Sequence, residues 1–153
     1  MSHSPFSQSH LDDIFTRHRA CEGPLLPILH DMMAAFGHIP DDALAPLADA
    51  LRLTRAEVYG VVSFYHDFKT HPDGHHVIKL CRAEACQSVG AAQTQTELLS
   101  RLGLKDFGTT RDGRVTVEAV YCLGLCACGP AALVNEQPRG RVSAQSLATE
   151  VSA

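Results

Sequence analysis

Along the first seventy residues, apolar positions recur every three or four. Leu11, Ile14 and Phe15 follow Ser9, a residue able to cap, and predict a short amphipathic helix. Leu25, Ile28, Leu29, Met32 and Phe36 predict a second one. Pro24 and Pro27 fall in its first turn, where a missing N–H costs little, and Gly37 supplies its stop. Ile39-Pro40-Asp41-Asp42 combines a turn with an N-cap, and Leu44, Leu47, Ala48 and Leu51 then form the stripe of a third helix. Thr54 and Glu57 have the spacing of a capping box. They open a fourth helix whose Val58, Val61, Val62 and Tyr65 are expected to face inward. The links are short and no period of roughly 20–50 residues recurs, so the four helices read as a small bundle and not a solenoid.

From Asp67 to His76 the chain is polar and turn-rich, with Pro72 and Gly74, and reads as a linker. Beyond it the period changes. Residues His76 to Leu80 predict a strand, and Ala92, Leu98, Leu99 and Leu102 predict a helix over Gly90 to Leu102. Asp112-Gly113 marks a turn, after which Val115, Val117, Ala119 and Tyr121 alternate as a second strand. A third strand is expected over Ala131 to Asn135, a short fourth over Gly140 to Ser143, and a last helix from Ser143 or Ala144 onward. This order suggests an α/β sandwich with its chemistry in loops at strand ends. The chain as a whole is then α+β, with a helical domain at 1–70 and a mixed one at 76–153.

Composition narrows the function classes. The chain has 153 residues, 45% hydrophobic and 20% charged, which is ordinary for a soluble globular protein. No apolar run approaches the ~18 residues of a membrane span, and the N-terminus lacks the pattern of a signal peptide, so a cytoplasmic location without membrane insertion is expected. A disulfide framework is not expected there. With 13 Lys and Arg against 17 Asp and Glu, there is no basic footprint for nucleic acid. Neither GxGxxG nor a P-loop occurs, so the chain has no recognisable nucleotide site.

Six cysteines and nine histidines stand out against this background. Four of the thiols form two pairs at the ends of predicted strands, Cys81-x4-Cys86 and Cys122-x3-Cys126, with 35 residues between the pairs. Two such loops brought together would make a tetrathiolate site, suited to zinc or to an iron–sulfur cluster. Structural zinc favours two residues between cysteines, and the longer, unequal loops lean toward a two-iron rhomb, with zinc still open. Gly90, Gly124 and Gly129 could let backbone N–H groups approach the sulfides, although turn geometry explains Gly90 equally well. Ala85, Val89, Leu123 and Leu125 are expected to cover the site.

Other residues have plainer readings. Cys128 reads as a buried packing thiol and Cys21 as uninvolved. His66, His71, His75 and His76 read as a solvated loop, and Arg52, Arg55 and Arg82 as a solvated face that could also touch a partner. Neither pair is C-x-x-C, which weakens a thiol–disulfide role for them or for Cys126 with Cys128.

The two cysteine pairs, followed by Gly129-Pro130 and Leu133-Val134-Asn135, resemble the thioredoxin-like [2Fe-2S] ferredoxin family. That family includes the 24-kDa-type subunit of NADH:quinone oxidoreductase and its counterparts in NAD-linked hydrogenases and formate dehydrogenases. The front half is similar too, at Pro27-Ile28-Leu29-His30, Gly37-His38-Ile39-Pro40, Val58-Tyr59-Gly60-Val61-Val62 and Ser63-Phe64-Tyr65. The stretch from Tyr121 to Pro130 most resembles the gamma subunit of soluble molybdenum-dependent, NAD-linked formate dehydrogenases. The resemblance implies a helical bundle followed by a thioredoxin-like domain, and one [2Fe-2S] cluster on Cys81, Cys86, Cys122 and Cys126. It implies a non-catalytic electron-transfer role beside an FMN- and NAD-binding flavoprotein subunit. It also implies a larger iron–sulfur subunit carrying a molybdenum cofactor, in a complex that converts formate and NAD to CO2 and NADH. Equivalent subunits of a quinone oxidoreductase or hydrogenase are the alternative, and a zinc-stabilised interaction module is an alternative of another class.

Overall fold

A computed structural model describes residues 7–152 of the chain. The chain divides between Pro72 and Asp73 into two compact units. Among the described residues, the first holds α1 (Gln8–His18), α2 (Leu25–Phe36), α3 (Asp41–Leu51) and α4 (Arg55–Phe64).

Local chemistry sets their ends. Ser7, not Ser9, caps α1 by accepting the His10 N–H, because Ser9 already lies inside the helix. Gly37 closes α2 in the left-handed conformation, at φ 74°, and its N–H reaches Met33 O at 2.8 Å. No side chain caps α3. Pro40 sits at its N-cap, and Asp41 and Asp42 instead occupy the first turn, where carboxylates complement the helix dipole. The Thr54–Glu57 capping box opens α4 as expected, with both reciprocal hydrogen bonds made.

Leu11, Ile14, Ile28, Leu29, Met32, Phe36, Leu44, Leu47, Val58 and Val62 close the core of this unit. Two expectations fail at its end. Tyr65 follows the last residue of α4 with extended backbone and is exposed, whereas Phe68, from the stretch read as a linker, is buried in the core. The Ile39 N–H donates to Lys69 O at 2.7 Å, so the segment after α4 folds back onto its own unit.

The second unit is a five-stranded mixed sheet with helices. Its strands are β1 (His76–Cys81), β2 (Gly108–Thr109), β3 (Val115–Val120), β4 (Ala131–Val134) and β5 (Gln137–Gly140), in the spatial order β2-β3-β1-β4-β5. Only β1 and β3 pair in parallel; the other pairs are antiparallel. The helices are α5 (Glu84–Ser88), α6 (Ala91–Arg101) and α7 (Ala144–Ser152). Leu98, Leu99, Leu147 and Val151 from the last two pack on Ile78, Leu80, Val115, Val117 and Val134 of the sheet.

The α+β class holds, with corrections of detail. The strand expected at Gly140 to Ser143 lies at Gln137–Gly140, because Asn135 and Glu136 both take positive φ (49° and 65°) and make a two-residue hairpin turn. Val142, within the stretch expected as a strand, inserts into the core ahead of α7. Tyr121 lies beyond the end of β3 and is exposed. The two-residue β2 is too short to leave a period in the sequence.

Candidate metal centre

Cys81 is the last residue of β1 and pairs with Val120, the last of β3. Cys122 stands two residues farther on. Because β1 and β3 run parallel, both cysteine loops leave the sheet at the same end. The first is not a plain loop, as its spacing suggested. Cys86 rides on the short helix α5, with its N–H bonded to Ala83 O at 3.0 Å, and Gln87 Nε2 donates to Arg82 O at 2.7 Å.

The second loop turns through Cys122 (φ 80°) and Gly124 (φ 74°) into a 3-10 turn over Cys126–Cys128. Positive φ at Gly124 is free of the Cβ penalty that Cys122 bears, and holding Cys122 there requires the fixed geometry around it. A cis Gly129–Pro130 peptide leads from this turn to β4.

The four thiols divide by depth. Cys81 and Cys86 are buried with Ala91 and Ala131, and Ala83, Val120, Leu123 and Leu125 pack partly buried against them. Cys122 and Cys126 are exposed. The expected cover is half right, since Leu123 and Leu125 belong to it. Ala85 and Val89 sit on or just after α5 and are exposed. The glycine expectation also changes. The N–H groups of Gly90 and Gly129 bond to Gln87 O and Cys126 O and close their own turns.

Other backbone donors serve the sulfurs. Burial pushes the Cys81 thiol up, but hydrogen bonds from Ala83 N–H, from Cys86, and from the N–H groups of Cys122 and Leu123 outweigh it and hold Cys81 below its ordinary pKa. Burial pushes Cys86 up, and its contacts with Cys81 and the nearby Cys126 raise it further, against one lowering hydrogen bond from Ala131 N–H. The backbone N–H groups thus favour the thiolate form at Cys81, whereas burial and its thiol neighbours disfavour it at Cys86.

This donor set fits a thiolate-bound cluster: soft sulfur ligands, backbone N–H groups aimed at sulfur, and an apolar inner wall. Among the described residues, no three or more His, Cys, Asp or Glu side chains close on a point that would hold a single ion.

The remaining candidates make contacts of their own. Cys128 Sγ donates to Leu125 O at 3.5 Å and packs against Gly140, as a packing thiol would. Cys21 is exposed in the first unit, 3.8 Å from His18 Nδ1. His76 Nδ1 accepts from Asn135 Nδ2 at 3.1 Å. Arg55 pairs with Asp41 at 2.7 Å, and Arg52 ends α3 in the left-handed conformation. Arg82 is the residue that its neighbours' chemistry understates: its guanidinium lies 5.9 Å from the Phe107 ring, and its buried Nε has no hydrogen-bond partner among the described residues.

The sequence profile of the thioredoxin-like [2Fe-2S] ferredoxins matches residues 11–152. The HndA subunit of the NADP-reducing hydrogenase of Solidesulfovibrio fructosivorans is 34% identical over 122 residues, covering 80% of this chain and 71% of that protein. A subunit of the NADH-quinone oxidoreductase of Aquifex aeolicus is 35% identical over 112 residues, covering 73% of this chain and 70% of the relative. The crystal structure of an NAD+-reducing [NiFe]-hydrogenase in the air-oxidised state superposes with a TM-score of 0.69 at 29% identity, over 84% of this chain. The match spans only 22% of that solved chain.

Proposed function

The chain belongs to the thioredoxin-like [2Fe-2S] ferredoxin family, whose cofactor is one [2Fe-2S] cluster, and on that footing we propose that Cys81, Cys86, Cys122 and Cys126 are its ligands. The parallel β1–β3 register carries this assignment, because it delivers both pairs to one end of the sheet. The cluster supplies one-electron redox chemistry. The chain's residues do the rest. Cys81 and Cys86 hold the inner side in an apolar wall that excludes water, the N–H groups of Ala83, Cys122, Leu123 and Ala131 offset charge on sulfur, and the exposed Cys122–Cys126 loop offers the route to a partner.

The chain is an electron-transfer subunit of an NAD-linked oxidoreductase complex, as its relatives are in a hydrogenase and in quinone oxidoreductases. The finer reading places it beside an FMN- and NAD-binding flavoprotein. Hydride transfer moves two electrons and this centre one, so a flavin must stand between them. Within that reading, residues 1–70 dock the partner and residues 76–153 carry the cluster. The complex is a cytoplasmic, NAD-dependent formate dehydrogenase with a molybdenum-containing catalytic subunit. Six free thiols suit a reducing compartment, and no helix among the described residues is long and apolar enough to cross a membrane.

The deciding experiment is isolation of the native chain with whatever co-purifies. A reddish-brown protein that bleaches with dithionite, together with a flavoprotein and a large molybdenum protein, is the expected result. A colourless chain with one zinc sinks the cluster reading. A nickel-containing partner or a membrane arm moves the chain to a hydrogenase or a quinone oxidoreductase.

A further inference from the structure

We propose that Cys21 is a site of reversible modification by a small, zwitterionic disulfide, with His18 as the base that takes its proton. Neither residue belongs to the cysteine loops of the second unit. Cys21 is exposed, and its N–H donates to His18 O at 3.0 Å, which sets the thiol in a tight turn just past the end of α1. Its Sγ lies 3.8 Å from His18 Nδ1, and His18 Nε2 lies 2.8 Å from Asp31 Oδ2 on α2. A carboxylate can only accept, so Nε2 of the neutral imidazole carries the proton and Nδ1 turns its lone pair to the thiol. Arg17 Nη1 reaches the same Asp31 oxygen at 2.8 Å and fixes the carboxylate.

This is the order in which a thiol nucleophile is activated: sulfur, base, and a third group that orients the base. Cys21 and Asp31 meet opposite nitrogens of one ring. Among the described residues, no such trio converges on a point as metal ligands would. The base is also sheltered where the thiol is not. The His18 side chain keeps 18% of its surface exposed and Asp31 30%, whereas Cys21 is open to solvent. Nothing in the sequence marks the arrangement, because Asp31 reaches His18 only where α2 packs on α1.

His18 also lines a hollow of about 380 Å³, the size of a small-molecule site, with Phe15, Pro24, Ile28 and Leu51 as its apolar wall. Arg19 and Asp12 stand on the same wall, one cation and one anion, and match the carboxylate and ammonium of an amino-acid end group. Amino-acid and peptide disulfides such as cystine and oxidised glutathione carry that pair at both ends. Their exchange with Cys21 balances. The thiol proton passes to His18 Nδ1, the sulfur attacks one sulfur of the disulfide, and the old S–S bond breaks as the new one forms. The departing thiolate then takes the proton from His18. The small disulfide is reduced to one free thiol, and Cys21 is oxidised to a mixed disulfide. Residues 1–72 contain no other cysteine, so no thiol of this unit displaces the adduct, and an external thiol has to remove it. Cys21 thereby follows the balance of thiol and disulfide around the protein.

The test treats the full chain with oxidised glutathione in the absence of oxygen and maps the adduct by mass spectrometry. One glutathionyl group on Cys21, released by dithiothreitol, is the expected result. His18→Ala and the isosteric Asp31→Asn should each slow its formation by about tenfold or more, with far-UV spectra like that of wild type. Added imidazole should restore the rate of His18→Ala, which a purely structural role for His18 does not allow. Wild type should also prefer oxidised glutathione severalfold over the uncharged 2-hydroxyethyl disulfide, and Arg19→Glu should erase that preference. Wild-type rates in both relay variants, or a His18→Ala loss that imidazole leaves in place, reduce His18 and Asp31 to a tie between two helices and overturn the proposal. Adducts confined to the cysteines of the second unit overturn it as well. No preference between the two disulfides in wild type, or one that survives Arg19→Glu, overturns the zwitterionic seat.

Discussion

Cys128 and Gly140 leave no room between them: a Cβ at Gly140 would stand 2.8 Å from Cys128 Sγ and 3.0 Å from both its Cβ and its carbonyl oxygen. The Arg141 N–H reaches that same carbonyl at 2.6 Å, so the 3-10 turn is clamped to the end of β5. Gly140→Ala is therefore expected to destabilise the chain by about 1–3 kcal/mol through overpacking, measured by urea titration. Cys128→Ser keeps the packing volume and the wild-type visible spectrum. A bleached Cys128→Ser variant would instead make Cys128 a ligand.

Serine at Cys86 or Cys122 separates ligand from packing thiol. Cys86→Ser is expected to lose most of its iron, because its buried inner position admits no substitute donor, and Cys122→Ser to shift or lose its visible absorption. Iron analysis and electron paramagnetic resonance of the reduced proteins read both. Unchanged spectra in both variants would refute the ligand assignment.

Buried Thr116 joins the start of the second unit to its sheet. Its Oγ1 accepts the Gly74 N–H at 2.7 Å and lies 2.8 Å from Thr109 Oγ1. Thr116→Val has nearly the same shape but removes the hydrogen-bond partner of the half-buried Gly74 N–H and of the exposed Thr109 hydroxyl. The expected cost is about 1 kcal/mol, with the cluster spectrum retained. A stability equal to wild type in denaturant titration would show that water takes over both bonds.

The capping box of α4 gives a pH-dependent contribution of known sign. Hydrogen bonds from the Thr54 backbone N–H and hydroxyl hold the Glu57 carboxyl below its ordinary pKa. A depressed carboxylate stabilises the fold above its unfolded value of about 4.3, and that contribution is lost as pH falls through the lower folded value. The melting temperature of Glu57→Gln should fall less than that of wild type between neutral pH and pH ~3. Thr54→Ala should cost about 1 kcal/mol at neutral pH, or roughly 4–8 °C for a unit of this size. Parallel melting curves for Glu57→Gln and wild type across that range would remove Glu57 from the acid response.

What the sequence disclosed is what local chemistry decides. The Thr54–Glu57 box and the Gly37 stop depend on residues within one turn, and both stand as read. The two cysteine pairs were legible because short spacing keeps their thiols close. The hairpin between β4 and β5 was hidden, because Asn135-Glu136 lacks the glycine that usually marks such a turn. Ala85 is exposed and not cover, because nothing in a C-x4-C spacing tells that the intervening residues coil into α5. The N–H groups aimed at Cys81 could not be foreseen at all. They come from Ala83, Cys122 and Leu123, whose directions depend on a strand pairing between residues some forty positions apart.

That pairing has a consequence for how the protein comes to hold its cofactor. A parallel β1–β3 ladder forms only after the chain between the strands has crossed back, and its long loop makes it slow to close. Cys81 and Cys122 are therefore expected to meet late in folding, as a product of the finished sheet. This is the reverse of a zinc finger, whose metal organises an otherwise unfolded chain. Cluster delivery would then act on an apo chain with closed secondary structure. Amide hydrogen exchange would record this as protection of Ile78 and Val117 before iron is added.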